Sequence, residues 1–395
     1  MSFSFGFDIG ADELDHELDI PTESLKQLDI SADEQPEASS SAVPYAQVPL
    51  SELLATLPPL LSYTPVHVPL HSQSGRETTL LRRDLFDARF QILNQDEIGP
   101  AEEKGNSGGD KGKSREVFID EQSDLVKGVY EGGLKTWECS LDLVDCLDQR
   151  GFSIDRDLAT QRVRGSSVLE IGCGTAIPTC AVFARLLNEI AQEPTPEEGP
   201  RPKKTRIHVQ DYNKQVLSLI TFPNLLLTYA QHFLLPATKA PDADEDPADM
   251  TDDRPGELEV SPEFLESFES FLERENVDLR FFEGDWSGMD VAVREDTEGP
   301  YDLVLTSETV YSVPSLGPLI NLLEAAAGRR RTNPLSNPLC LVACKRIYFG
   351  VGGGELEFRR RVEERGAKVE SVWGEGEGKG KNSGVGRTVL RVEWV

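Results

Sequence analysis

VLEIGCGTA, Val168 to Ala176, is the stretch that decides how this chain is read. Val168 to Ile171 is a short apolar run of buried-strand type. Gly172 and Gly174 follow at once, and AIPTCAVFARLLNEIA then continues with apolar residues at helical spacing. Strand, glycine turn and helix form the frame in which an open α/β sheet cradles a nucleotide-like ligand. A dinucleotide fingerprint requires a third glycine three residues after Gly174, and Ile177 stands there instead. Without it, close helix packing around a pyrophosphate is lost. What remains is Glu170-x-Gly172-x-Gly174. A carboxylate at the strand end suits an ammonium or a sulfonium, and S-adenosylmethionine carries both. The glycines would let backbone approach its methionine portion; equally, they fit a tight strand-to-helix turn alone.

Outward from this motif, strand-like runs alternate with helical patterns. The runs are 167–172, 206–211, 277–284, 301–308, 339–346, 368–373 and 387–394. Helical patterns between them include NKQVLSLITFPNLLLTYAQHFL and ELEFRRRVEERG. The alternation predicts an α/β fold with a seven-stranded, mostly parallel, doubly wound sheet. Ligands of such sheets bind beyond the carboxyl ends of the strands. Those ends carry Gly172–Thr175, Asp211, Gly284–Trp286 and Ser307–Glu308. Asp211 fits a ribose-hydroxyl acceptor, or the cap of the helix that starts near Lys214. It lies 37 residues after Gly174, where about 20 is usual, and the EPTPEEGPRPKK insertion accounts for the excess. Asp285 fits a partner for an adenine amine. Trp286 fits a stacking platform for the ring, or a piece of core.

The formal net charge is −29, and residues 1–40 and 241–270 carry −10 and −11 of it. Such tracts stay solvated, or attract a basic partner. Their sign disfavours a nucleic-acid surface. The expected organisation is an acidic, disordered tail over 1–46, an extension and linker over 47–118, and a compact domain over 119–395 with an acidic insertion near 236–260. Six cysteines without a C-x-x-C pair, beside five histidines, argue against a zinc site, so no metal is expected. No signal-like segment opens the chain, and no apolar run is long enough to span a membrane. A soluble, intracellular protein with reduced thiols is expected, cytoplasmic, nuclear or both.

GVYEGGLKTWECS, EIGCGTA, QDYN, FFEGDW, YDLVLTSETVY and YFGVGGG together resemble the histidine protein methyltransferases, a seven-stranded, S-adenosylmethionine-dependent family. The resemblance covers roughly 120–395 and the opening MSFSFGF. It implies cofactor contacts at Trp137, Glu138, Glu170, Gly172, Gly174, Asp211, Tyr212, Asn213, Gly284, Trp286 and Ser307. It further implies methylation, at the tele nitrogen, of one histidine in a large-subunit ribosomal protein. The insertions at 191–204 and 236–260 depart from the family pattern.

Transfer to an imidazole requires a bare attacking nitrogen and an acceptor for the proton on the other one. Glu308, in SETVY with Tyr311, suits that acceptor role, or a purely structural one. Tyr348, Phe349, Gly350 and Gly352 of YFGVGGG suit a backbone surface for a substrate peptide, or a plain turn. Two rival readings are a lysine methyltransferase of the acidic-x-x-aromatic group and a non-catalytic acidic escort for a basic ribosomal protein. A monomer is expected.

Overall fold

Every residue of Thr205–Asp211 and of Leu303–Ser307 is buried, as are Val168 to Ile171. Strands covered on both faces belong inside a parallel sheet flanked by helices. A computed structural model of the chain places them there. It describes residues 43–71, 76–86, 88, 125–126, 130–131, 133–154, 160–196, 199–234, 254–328, 338–348, 352–374 and 386–394. These belong to one compact unit, Ala42–Val395. Residues 1–42 of the expected tail 1–46, the linker 102–116 and residues 236–253 lie outside the described residues; residues 43–46 are ordered instead, because Val43 is hydrogen-bonded to Tyr212 and Asp285 and Ala46 pairs with Glu283.

The main sheet is built from β1 (Ala46–Val48), β4 (Ser167–Ile171), β5 (Thr205–Asp211), β7 (Val277–Glu283), β8 (Leu303–Ser307), β9 (Leu339–Lys345), β10 (Lys368–Gly374) and β11 (Arg387–Glu393). Their order is β1-β7-β5-β4-β8-β9-β11-β10. The five strands β7, β5, β4, β8 and β9 are mutually parallel; β11, β10 and β1 join antiparallel. All seven expected strands form. The count is corrected to eight by β1, which pairs Ala46 with Glu283 and Val48 with Phe281. Three residues are too short to show a period of two. The pairing is secured from outside the strand, where the Tyr45 ring stacks on Phe282 at 5.7 Å.

Alternation along the strands feeds two separate cores, because successive side chains leave a strand on opposite faces. Val168, Leu303, Leu305, Leu341 and Ala343 enter one core, with helices Glu138–Leu147, Ile177–Gln192 and Phe222–Phe233. Leu169, Ile171, Val304, Cys340, Val342 and Cys344 enter the other, with Leu316–Ala327 and Glu355–Glu364. Helices on both faces make the sheet doubly wound.

A smaller sheet holds β2 (Leu60–Leu70), β3 (Arg76–Arg83) and β6 (Gly256–Glu259) in the order β3-β2-β6. The acidic region therefore contributes structure at its end: Glu257 and Glu259 face out while Leu258 is buried. Ser261 then caps Pro262–Arg274, accepting from Phe264 N at 3.2 Å. That helix buries Phe264, Phe268, Phe271 and Leu272 and leaves its glutamates outside. Three of the twelve acidic residues of 241–270, Glu263, Glu266 and Glu269, thus lie on the solvated face of an amphipathic helix. No helix among the described residues is long and apolar enough to cross a membrane.

Candidate active site

The turn after β4 needs its glycines for two reasons. Gly172 and Gly174 adopt φ of 61° and 50°, where a side chain is strained. A Cβ on Gly172 would stand 2.5 Å from Thr309 Cγ2, and one on Gly174 would stand 3.2 Å from the Gly133 carbonyl. The glycines admit the segments of two motifs, EGGLKTWE and SETVY, to the same turn. The loop then enters the helix Ile177–Gln192 through Ala176, itself at φ 52°.

Glu170 lies beneath this loop, fully buried. Its Oε2 accepts from Thr179 N at 3.0 Å and from the Thr179 hydroxyl; its Oε1 is buried without a hydrogen-bond partner. Burial pushes its pKa up to about 8, against the opposing bonds from Thr179. The carboxyl thus lies beneath the loop, closed off from solvent. At neutral pH it holds its proton, and a cationic group bound above the loop would favour its ionisation.

Asp211, at the end of the neighbouring strand β5, closes the loop from the side. Its Oδ2 accepts from Gly174 N at 3.0 Å and its Oδ1 from Asn213 N at 3.1 Å. Asn213, not Asp211, occupies the cap position of the helical turn at Lys214. Gln210, assigned no role from the sequence, is the hub of the site. Its Oε1 accepts from Gly172 N at 3.2 Å and from Trp286 Nε1 at 2.9 Å, and its Nε2 donates to the Gly284 carbonyl at 2.8 Å. One buried amide thus joins the ends of β4, β5 and β7. The QDYN motif already contains it; only its long-range partners could reveal the role.

A strap formed by Val43–Tyr45 runs over the end of β7. Val43 N donates to Tyr212 Oη at 3.1 Å, and Asp285 N donates to the Val43 carbonyl at 2.9 Å. A Cβ on Gly284 (φ 95°) would stand 2.3 Å from the Pro44 carbonyl. Tyr212 and Gly284 thus both meet the strap. Asp285 caps the helix Trp286–Glu295, accepting from Ser287 N at 2.8 Å and from the Ser287 hydroxyl. That cap commits one of its carboxylate oxygens. Trp286 is partly buried between the second core and Gly172, whose Cβ position lies 3.8 Å from Trp286 Cζ2.

The second half of the site gathers at the ends of β8 and β9. Ser307 is the buried last residue of β8. Glu308 follows at φ 55°, one of three non-glycine residues with positive φ among the described residues. Strain of this kind is held where the surroundings require it. Its Oε2 accepts from the Tyr348 hydroxyl at 2.6 Å. Its Oε1 is buried without a hydrogen-bond partner, 3.4 Å from Lys345 Nζ. Burial and the neighbouring Glu308 carboxylate drive the Tyr348 phenol far above its ordinary pKa, so it stays a donor. Trp137 begins the helix Glu138–Leu147 and receives Lys345 Nζ 5.0 Å above its ring; Glu138 pairs with the same ammonium at 3.2 Å.

Tyr311 packs edge-on against Tyr348 at 6.3 Å. Its carbonyl accepts from Gly353 N at 3.1 Å, and Ser312 pairs with Gly352. A Cβ on Gly353 would stand 2.2 Å from the Tyr311 carbonyl. The described part of YFGVGGG therefore docks on SETVY. Phe349 and Gly350 lie outside the described residues. Burial raises all six thiols, so none is a ready nucleophile at neutral pH.

Compared with known proteins, the chain is 33% identical to histidine protein methyltransferase 1 of Schizosaccharomyces pombe over 366 residues, 92% of this chain and 85% of that protein. The chain belongs to the histidine protein methyltransferase family. The protein of that name from Saccharomyces cerevisiae is 29% identical over 412 residues, 100% of this chain and 98% of its own. A Bos taurus homologue is 32% identical over 62% of this chain, which spans 51% of it. No family model matches. Among solved structures, a precorrin-6y C5,15-methyltransferase from Geobacter metallireducens overlaps at a TM-score of 0.31 and 12% identity, covering 63% of this chain and 88% of that one. Within the family, this chain presents two adjoining half-sites, the glycine cradle at β4 and the Glu308 pocket at β8, joined by the Gly172–Thr309 contact.

Proposed function

We propose that the protein transfers a methyl group from S-adenosylmethionine to the tele nitrogen of one histidine in a basic, large-subunit ribosomal protein. In this reading it acts as a monomer, in the cytoplasm, the nucleus or both. The observation that carries the acceptor chemistry is the Glu308 carboxylate, buried at a strained residue with one oxygen held by Tyr348 and the other beside the Lys345 ammonium.

The glycine loop, Asp211 and Gln210 would hold the cofactor, whose sulfonium supplies an already activated methyl. The chain must exclude water and align the acceptor with the methyl carbon. An imidazole of pKa ~6.5 is mostly neutral at pH 7 and needs no strong base. It needs the right tautomer. Glu308 Oε1 would accept the N–H of the pros nitrogen, leaving the tele nitrogen bare to attack. With the methyl passing from the sulfonium to the tele nitrogen, the positive charge would come to lie on the ring. The pros proton then passes to Glu308 and on to water, and the neutral methylated ring departs. Tyr348 keeps the carboxylate oriented throughout.

The test is to incubate the protein and its Glu308→Gln variant with deuterated S-adenosylmethionine and purified ribosomal proteins, and to map the label by mass spectrometry. A single labelled histidine, with slower labelling by the variant, supports the proposal. Label on lysine, or none, overturns it.

A further inference from the structure

Lys345 ends β9 beside the strand that leads to Glu308. No motif singles it out, yet it stands at the centre of the acceptor half-site. Its Nζ is 3.4 Å from Glu308 Oε1, 3.2 Å from Glu138 Oε2 and 5.0 Å from the centre of the Trp137 ring. The side chain is 20% exposed. Burial lowers its pKa, but Glu308 and Glu138 more than compensate and raise it above the ordinary lysine value. Lys345 is therefore a permanent cation, fixed by two carboxylates and an aromatic face.

The Glu308 carboxylate is consequently asymmetric. Oε2 is committed to Tyr348, while Oε1 is buried with the ammonium 3.4 Å away, and the Cys139 thiol lies against the same carboxyl. A neutral acceptor carrying one N–H can complete Oε1 without meeting a charge of its own sign. An alkylammonium directed at the same oxygen must come within a few ångströms of Lys345, in a site where water screens little.

We propose that Lys345 is a positioning residue that makes the site select a neutral imidazole over a lysine: it neutralises and orients Glu308, and it sets a fixed positive charge where an acceptor ammonium would have to stand. The proposal rests on the reading of histidine as the acceptor. Lys345 takes no part in bond making. Its charge decides which acceptor is received next to Glu308, and Trp137 and Glu138 hold that charge in place.

The experiment uses the full chain, S-adenosylmethionine and two peptides: the segment mapped by labelling, and the same segment with its acceptor histidine replaced by lysine. Wild type is compared with Lys345→Met and Lys345→Arg. Circular dichroism and the affinity for S-adenosylhomocysteine report the fold and the cofactor half-site separately. Lys345→Met is expected to lower kcat/KM on the histidine peptide by about tenfold to a hundredfold, the scale of a misplaced orienting group. Its preference for histidine over lysine is expected to fall by about tenfold or more, from removal of like-charge exclusion. Lys345→Arg, which keeps the charge, is expected to restore most of that preference. A Lys345→Met enzyme that retains the preference, or an arginine variant as unselective as methionine, overturns the proposal while leaving histidine methylation intact. A wild-type enzyme that modifies the lysine peptide instead overturns both.

Discussion

Replacing Glu170 by glutamine should stabilise the protein at neutral pH and change little at pH 5. The folded carboxyl keeps its proton to about pH 8, because burial opposes the charged form; the ordinary value is 4.5. Between these values the unfolded chain binds fewer protons than the folded one. Stability is thus fully present below pH 4.5 and falls by about 1.4 kcal/mol for each pH unit as pH rises toward 8. From pH 5 to pH 7 the loss traceable to this one group is roughly 3 kcal/mol, a large share of a typical stability. Glutamine keeps an acceptor for Thr179 N and Oγ1, the two donors now on Oε2. It does not titrate, so its stability lacks this slope. The assay is urea unfolding of both proteins at pH 5 and pH 7. Comparing the two differences cancels every other titrating group. Equal pH dependence in the two proteins would refute the reasoning, by showing that Glu170 is solvated or ionised in the folded state.

Gly172→Ala should cost about 1–2 kcal/mol for its left-handed backbone and a further ~1–3 kcal/mol for crowding Thr309. Thr309→Ser removes the crowding methyl and keeps the hydroxyl bonded to Thr306 at 2.7 Å, so in urea melts the double variant should recover the second part and not the first. Asp211→Ala should weaken S-adenosylmethionine binding by roughly 1.5–3 kcal/mol and also lower stability, since the carboxylate ties Gly174 N and Asn213 N. Calorimetry showing unchanged affinity in the folded variant would remove Asp211 from the cofactor site.

The parallel core of the sheet was legible because strands buried on both faces read as apolar runs, such as SVLEIG and YDLVLTSE. The edge strand Ala46–Val48 was not, since its pairing depends on Phe282 and Tyr45 rather than on any pattern of its own. Counting charge over 241–270 merged a described strand and an amphipathic helix into one acidic tract, because a sum ignores alternation. At the site, the glycines and the carboxylates at strand ends stood out because few residue types suit a turn of this kind. Tyr212, Gly284 and Asp285 fit a ligand by their place at strand ends, and the sequence does not show that each also meets the strap or starts a helix. Gln210 and Lys345 carry no local sequence signal, for one reason. A polar residue inside an apolar run shows its meaning only through partners distant in the chain, here Gly172, Trp286 and Gly284, or Glu138 and Glu308.

The central claim is that a neutral histidine is the acceptor, oriented by Glu308 rather than deprotonated by a strong base. The pH profile of kcat/KM on the mapped histidine peptide, taken where chemistry limits the rate, tests it most directly. The account predicts a rise through about pH 6–7, as the acceptor imidazole loses its proton, and then a plateau. A profile still climbing at pH 9, as an acceptor amine of pKa ~10.4 would give, or full activity on the lysine peptide, would contradict it.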